Sequence, residues 1–260
     1  MKIIAIIPAR MGSSRFPGKP LAKIHGMPMV GHCYLRTRMC DELLDTYVAT
    51  CDQEIYNYVE SIGGKAVMTS NRHERATDRT AEAMLKIEQQ LGVQVDIVVM
   101  VQGDEPMVTP GMISQSLAPF ADDPEVKVVN LMARMGSIAE FEDPNEVKVV
   151  VDRNSNALYF SREPIPSRKK GVDQVPMLKQ VCIIPFRRDY LLHFNNTPET
   201  ELERIESVDM MRILENGDQV KMVMTETYSL SVDTEQDLKN VEKAMTGDVL
   251  MSEYTNSFSN

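Results

Sequence analysis

Five apolar residues in a row, Ile3, Ile4, Ala5, Ile6 and Ile7, follow Met1 and Lys2 and run into Pro8 and a stretch of Gly, Ser and Pro. A short β-branched run bounded by turn residues predicts a buried strand that empties into a loop. The same unbroken pattern returns at Ile97 to Val101, ahead of Gln102, Gly103, Asp104 and Glu105. Between the two runs the pattern alternates. Residues 29–40 predict a helix entered at Pro28, residues 46–49 a strand, residues 54–62 a helix capped by Asp52 and stopped by Gly63 and Gly64, and residues 65–68 a short strand. Residues 69–84 read as a polar loop entering a helix at Thr77 and Asp78, with Arg79 in its first turn. Strands alternating with helices in this way predict an α/β fold with a mostly parallel sheet covered by helices.

Past Val101 the reading changes. A helix at 110–120 and a strand at 126–132 precede two apolar segments, 147–151 and 157–160, separated by five polar residues, which is a hairpin pattern. That hairpin opens a smaller β-containing lobe at about 140–190, inside a single domain of 1–245. A basic, proline-bounded loop with Arg168, Lys169 and Lys170 reads as solvated. A strand at 180–186, a helix at 189–194, an amphipathic helix at 200–215 ended by Asn216 and Gly217, and a strand at 219–226 follow. A last helix runs to about 245 behind Ser231, Val232, Asp233 and Thr234. Residues 246–260 are polar without periodicity and are expected to form a flexible tail.

With 260 residues, 43% of them hydrophobic and 25% charged, the composition is that of a globular protein with a sizeable core. No stretch approaches the length of a membrane span, and the reading is cytoplasmic with no membrane partner. Cys33, Cys40, Cys51 and Cys182 show neither a CxxC pair nor metal-ligand spacing, which favours free thiols. The 19 methionines are read as core filling.

Charge is unevenly distributed along the chain. The formal net charge is -10, with 38 acidic residues, yet none precedes Asp41. Lys2, Arg10, Arg15, Lys19, Lys23, Arg36 and Arg38 all do. A local positive field on an acidic protein implies one anionic ligand and argues against nucleic acid as a partner. It centres on the loop Pro8 to Leu21, PARMGSSRFPGKPL. Glycines allow close backbone approach, Ser13 and Ser14 supply donors, Arg10, Arg15 and Lys19 can neutralise a polyphosphate, and three prolines lower the cost of ordering the loop. A merely solvated basic loop is the alternative. The order is neither that of a P-loop nor that of a dinucleotide fold.

Asp104 falls at the carboxyl end of the second buried strand, where ligands of open α/β sheets bind. A carboxylate beside triphosphate oxygens repels them unless a divalent cation lies between, which makes Asp104 a Mg²⁺ ligand candidate; an acidic strand-ending turn is the alternative. Arg162 offers a fork that matches a carboxylate.

The loop Pro8 to Leu21 closely resembles the nucleotide signature of the cytidylyltransferases that activate acidic sugars, above all the 3-deoxy-manno-octulosonate (Kdo) cytidylyltransferases. The family's His-x-Ser-Gly-Thr-(Asp/Glu)-Arg-x-Ala-Glu is matched at His73, Thr77, Asp78, Arg79, Ala81 and Glu82, with departures at Arg75 and Ala76. Val101 to Pro106 matches Val-Gln-Gly-Asp-Glu-Pro, Ala157 to Pro166 matches Ala-Leu-Tyr-Phe-Ser-Arg-x-x-Ile-Pro, and Val232 to Leu238 resembles Val-Asp-Thr-x-x-Asp-Leu. The motifs occur in the family's order over about residues 2–245.

The resemblance implies a Rossmann-like nucleotidyltransferase fold with a smaller lobe that mediates a homodimer. It implies the reaction of CTP with an acidic sugar to a CMP-sugar and pyrophosphate, for cell-surface polysaccharide synthesis. It assigns Pro8, Ala9, Arg10, Ser13, Ser14, Arg15, Lys19, Thr77, Arg79 and Gln102 to the nucleotide, and Asp104 and Asp233 to Mg²⁺. Arg10, Lys19 and Asp104 carry the catalysis, and Gln102, Tyr159, Arg162, Gln180 and Asp209 the acceptor. For Asp233, a helix cap is the alternative. Where the family reads His-x-Gly-Ile-Tyr this chain has Gln180 to Ile184, and where it reads Glu-Gln-Leu-Arg this chain has Asp209 to Arg212. Another acid acceptor, a nonulosonic acid or a phosphonate, therefore stands beside Kdo, and a non-catalytic CTP-binding protein is the reading from a different class.

Overall fold

The computed structural model describes residues 1–12, 15–171 and 174–255. The chain divides into two compact units, Met1–Ser114 with Ser229–Asn260, and Gln115–Tyr228. The second is larger than the lobe at 140–190 that the hairpin suggests, because strands on both sides of the hairpin join its sheet.

In the first unit β1 (Ile3–Ala9) is buried along its whole length, as an all-apolar central strand must be. A 3-10 turn (Lys19–Leu21) and a small hairpin, β2 (Lys23–Ile24) with β3 (Met27–Pro28), lead into α1 (Met29–Arg38). Then come β4 (Asp45–Thr50), α2 (Gln53–Ser61), β5 (Ala66–Met68), α3 (Ala76–Leu91) and β6 (Ile97–Val101). The order within the unit is β6-β1-β4-β5, every pair parallel. The chain moves from β1 through β4 to β5, then returns by α3 to lay β6 on the far side of β1. That reversal sits between β1 and β6, so the loops leaving their carboxyl ends diverge and leave a crevice, the place where sheets of this kind take ligands.

Helix α4 (Pro110–Asp122) carries the chain onward. The second unit contains β7 (Val129–Arg134), α5 (Ile138–Glu142), β8 (Lys148–Val151), β9 (Ala157–Ser161), β10 (Leu178–Val181), β11 (Ile183–Arg187), α6 (Arg188–Asn196), α7 (Glu201–Glu206), α8 (Met210–Glu215) and β12 (Lys221–Met224). Its sheet has the order β12-β7-β10-β8-β9. The expected hairpin is β8 and β9, antiparallel with a register shift at Val150/Val151. Lys148 is fully buried and its ammonium donates to the carbonyls of Asp143, Glu146 and Arg162, tying both ends of the hairpin together.

Three expectations are corrected. The strand at 180–186 is two strands, β10 and β11, broken at Cys182. The helix at 200–215 is also two, because Ser207 adopts φ 53°. The break lets Glu203 and Glu206 turn inward: Glu203 takes both arms of the Arg212 fork, at 2.7 and 2.6 Å, and Glu206 accepts from Tyr159 Oη, Ser161 Oγ and the Arg162 amide. Finally, the segment after 245 is not a tail throughout. After α9 (Glu235–Ala244), α10 (Val249–Thr255) docks on α1; residues 256–260 lie outside the described residues.

That docking rests on one phenol. Tyr254 Oη meets His32 Nδ1 at 2.6 Å and receives Arg36 Nε at 3.2 Å, while Arg36 also pairs with Asp248. His32 Nε2 reaches the Ile24 carbonyl at 2.8 Å. Burial above all pushes the His32 pKa down to about 4, so the folded protein holds a neutral ring where the unfolded chain takes up a proton near pH 6.5. The folded pKa is the lower one, so the contact loses stability as pH falls from 6.5 towards 4. Thermal melts across that range are expected to show a weaker acid dependence for His32→Asn than for the unaltered protein. Equal slopes would mean that His32 does not set it.

All four cysteines are free thiols. Among the described residues, no helix is long and apolar enough to cross a membrane.

Candidate functional site

The loop after β1 closes on itself before it does anything else. Gly18, at φ 74°, donates its amide to the Met11 carbonyl at 3.1 Å and turns the chain into the Lys19–Leu21 turn. A left-handed φ is open to glycine at no steric cost. The Met11 amide is in turn held by Asp52 Oδ2 at 2.8 Å. The sequence reads Asp52 as the cap of α2, but its side chain makes no cap hydrogen bond and is spent on the loop instead. No local signal distinguishes the two uses, because they differ only in what β4 and β1 bring side by side.

A cavity of about 290 Å³ lies over the carboxyl ends of β1 and β6. Arg10, Arg15 and Lys19 line it from the loop, Arg75 and Arg79 from the start of α3, and Asp104 from the end of β6. Pro8, Ala9 and Gln102 line it as well. Of the other residues assigned to the nucleotide, Thr77 is fully buried, and Ser13 and Ser14 lie outside the described residues.

Two carboxylates meet at Lys19, which lines this cavity. Asp104 Oδ2 lies 2.8 Å and Asp233 Oδ1 3.5 Å from the Lys19 ammonium, which also donates to the Val232 carbonyl at 2.7 Å. Arg15 adds a second cation on Asp233, at 2.9 Å. Burial works to lower the Lys19 pKa, but the two carboxylates outweigh it and hold the ammonium above the ordinary lysine value. Asp233 does not cap α9. Thr234 does, accepting from the Asp237 amide at 3.2 Å, while Asp237 Oδ2 receives the amides of Asp233 and Thr234. The Val232 amide bonds the Asp104 carbonyl at 3.0 Å, which registers the two acidic loops.

This donor set fits a small divalent cation. Two carboxylates and a carbonyl are hard oxygen ligands, and a set this small leaves coordination positions for phosphate oxygens and water, the usual arrangement for Mg²⁺ with a nucleotide. Among the described residues, no group of three or more His, Cys, Asp or Glu forms an all-protein cage.

Arg79 shapes the wall of the cavity. Arg79 is 2% exposed, and its guanidinium donates to Thr69 Oγ1 and to the carbonyls of Ser70 and His73. Glu82 fastens the same segment through the Ser70 amide at 2.9 Å and through His73. Burial works against ionisation of Glu82, but Lys86, the Ser70 amide and His73 together bring its pKa down to about 2.

Tyr159, Arg162, Gln180 and Asp209 belong to the second unit. Tyr159 and Arg162 gather round Glu206. The Arg162 guanidinium donates to the carbonyls of Glu206, Pro144, Asn145 and Ser207, so a fork expected to hold a substrate carboxylate is engaged with backbone. Gln180 Nε2 donates to Asn130 Oδ1, and Asp209 precedes α8 as its N-terminal flanking residue.

Gly103 shows how closely the two strand ends approach. A Cβ at this position would sit 2.9 Å from the Pro8 carbonyl. Backbone cannot yield there as a side-chain tip can, so Gly103→Ala is expected to cost about 1–3 kcal/mol of stability. A thermal melt checks this, and an unchanged melting temperature would show that the strand ends separate without consequence.

The chain is similar to known proteins over nearly its whole length. A family model described as Cytidylyltransferase matches residues 4–226. The 3-deoxy-manno-octulosonate cytidylyltransferase of Trichlorobacter lovleyi is 42% identical over 255 residues, covering 94% of this chain and 99% of the relative. That of Geobacter metallireducens is 44% identical over 254 residues, covering 94% and 98%. The solved structure of a CMP:2-keto-3-deoxy-manno-octonic acid synthetase complexed with CTP superposes with a TM-score of 0.86 at 38% identity, covering 96% of this chain and 100% of that one. With a cation-lined loop, a facing carboxylate pair and this likeness across the chain, the protein belongs to the cytidylyltransferase family.

Proposed function

We propose that the protein transfers CMP from CTP to a hydroxyl of Kdo, with Mg²⁺, releasing pyrophosphate and supplying cell-surface polysaccharide synthesis from the cytoplasm. The observation that carries the reading is that Arg10, Arg15, Lys19 and Asp104 line one cavity, with Asp233 ion-paired to Arg15 and Lys19 beside it. A protein that only bound the nucleotide would need the cations but not a carboxylate pair facing them.

Arg10, Arg15 and Lys19 bind the triphosphate and stabilise the charge that develops on the pyrophosphate leaving group. Asp104 and Asp233 would hold the metal, which when bound neutralises charge at the α-phosphate and eases deprotonation of the attacking hydroxyl. The sugar oxygen attacks the α-phosphorus in line. The new P–O bond forms as the bond to the bridging oxygen breaks, the electron pair leaves with pyrophosphate, and the hydroxyl proton passes to solvent. The chain's part is positioning and charge, with no covalent enzyme intermediate.

On the acceptor side we assign Gln102, Tyr159, Gln180 and Asp209, while the Arg162 fork, engaged with backbone carbonyls, is assigned to holding the segment that carries Tyr159. The departures at 210 and 211 favour Kdo over another acid. Met210 and Met211 are each 1% exposed, and Met211 Sδ lies under the Phe160 amide, so these two substitutions sit in the core instead of facing a ligand. We also assign a homodimer, supported by Leu158 on the sheet-edge strand β9 and by Ile205, exposed by 60% and 67%. Light scattering behind size exclusion tests it, and a monomer mass at micromolar protein would remove it.

The deciding assay is pyrophosphate release with CTP and Mg²⁺ across Kdo, its 8-amino analogue, sialic-type acids and small phosphonates. Turnover with Kdo is expected. Silence with Kdo and release with another acid would reassign the acceptor, and silence throughout would overturn the enzymatic reading.

A further inference from the structure

Lys19 belongs to the cation loop by sequence and to the carboxylate pair by geometry. Its ammonium carries three hydrogens, and three oxygens surround it: Val232 O at 2.7 Å, Asp104 Oδ2 at 2.8 Å and Asp233 Oδ1 at 3.5 Å. The side chain is 13% exposed, so this is an inward-facing contact and not a surface pair. The loop carrying Asp233 is registered to Asp104 through the Val232 amide, and Asp237 steadies it from the first turn of α9. The three oxygens therefore form a prepared set, and the cation they hold is the protein's own.

A divalent ion and the Lys19 ammonium cannot both take Asp104 Oδ2, since each needs that oxygen within about 2–3 Å, and Asp233 Oδ1, at 3.5 Å, is held towards the ammonium by charge attraction. Lys19 has one other class of partner within its loop's function, the oxygens of a triphosphate, which are stronger acceptors for an ammonium than a carbonyl.

We propose that Lys19 is an internal counter-ion that couples metal entry to nucleotide binding: in the free protein it holds Asp104 and Asp233 together and opposes a divalent ion alone, and on CTP binding it passes to a phosphate oxygen and frees the pair. The proposal rests on the reading of Asp104 and Asp233 as the metal ligands. It makes metal binding and CTP binding interdependent beyond the bridging of phosphate by the ion itself, and by linkage the coupling runs equally in both directions.

The test is Mn²⁺ binding followed by electron paramagnetic resonance, with no nucleotide present. Unaltered protein is expected to bind Mn²⁺ weakly. Lys19→Met is expected to bind it about tenfold or more tightly, because an ammonium occupying the pair nine-tenths of the time lowers apparent affinity by that factor. The same variant is expected to bind CTP more weakly in the presence of a chelator, so one substitution moves the two affinities in opposite directions. Lys19→Arg, which keeps the charge, is expected to stay weak for Mn²⁺ and serves if the Met variant does not fold. A Met variant, folded by thermal melt, whose Mn²⁺ affinity is unchanged or lower would overturn the counter-ion role, as would tight binding by the Arg variant. Asp104→Asn placed in the Lys19→Met background is expected to abolish the gain. If the gain survives that change, the metal is not on this pair and the underlying site assignment fails instead.

Discussion

An Asp104→Asn protein is expected to release pyrophosphate from CTP roughly 10³-fold more slowly than the unaltered protein, a loss of about 4 kcal/mol in transition-state stabilisation. The substitution removes a charge from the pair that faces Arg15 and Lys19 and leaves an oxygen able to accept from the ammonium. The Lys19 ammonium keeps the Val232 carbonyl and Asp233 as partners, so the change leaves no unpaired charge and the melting temperature is expected to stay within a few degrees. A rate within about tenfold of normal would remove Asp104 from the site. A rate loss accompanied by a collapsed melt would show that its role is structural. The two results separate because the contacts that hold the neighbouring loop, Val232 N to Asp104 O and the cap of α9, are made by backbone and by Thr234.

The largest effect on stability is expected far along the sequence, at Glu203. Its side chain is fully buried and receives the Nε and Nη2 arms of Arg212. Arg212 donates its third arm to the carbonyls of Phe194 and Thr197 and lies 4.3 Å over the Phe194 ring. Glu203→Ala leaves that guanidinium buried without its carboxylate, which costs about 3–5 kcal/mol. For a chain of this size this corresponds to a fall of roughly 10 °C in melting temperature. Replacing both partners by apolar residues, Glu203→Leu with Arg212→Met, is expected to recover much of the loss, since two buried charges are exchanged for packing. A single variant that melts within a degree or two of the unaltered protein would show that water reaches the pair.

These two residues mark what can and cannot be read along the chain. Asp104 is legible because the strand before it is an uninterrupted apolar run, and such a run delivers whatever follows it to the carboxyl edge of the sheet. Glu203 is not legible. Its spacing fits an exposed helical face, and only the break at Ser207 and the arrival of Arg212 nine residues later turn it inward. Tyr254 is hidden for a similar reason: seven residues of α10 carry too little periodicity to announce a helix, and the phenol is ordered by His32 and Arg36 more than two hundred residues away.

By itself the sequence determined the alternation of strands and helices, the cation loop, both acidic loops and their order, because each depends on neighbours within a few residues. The tertiary structure decided which of several uses each polar group serves. Asp52 holds the loop instead of only starting a helix, Thr234 caps α9 and leaves Asp233 to face Lys19, and the Arg162 fork is turned to backbone carbonyls. A carboxylate or guanidinium is equally competent for a cap, an ion pair or a ligand, and the choice among them depends on what distant strands bring within about 3 Å.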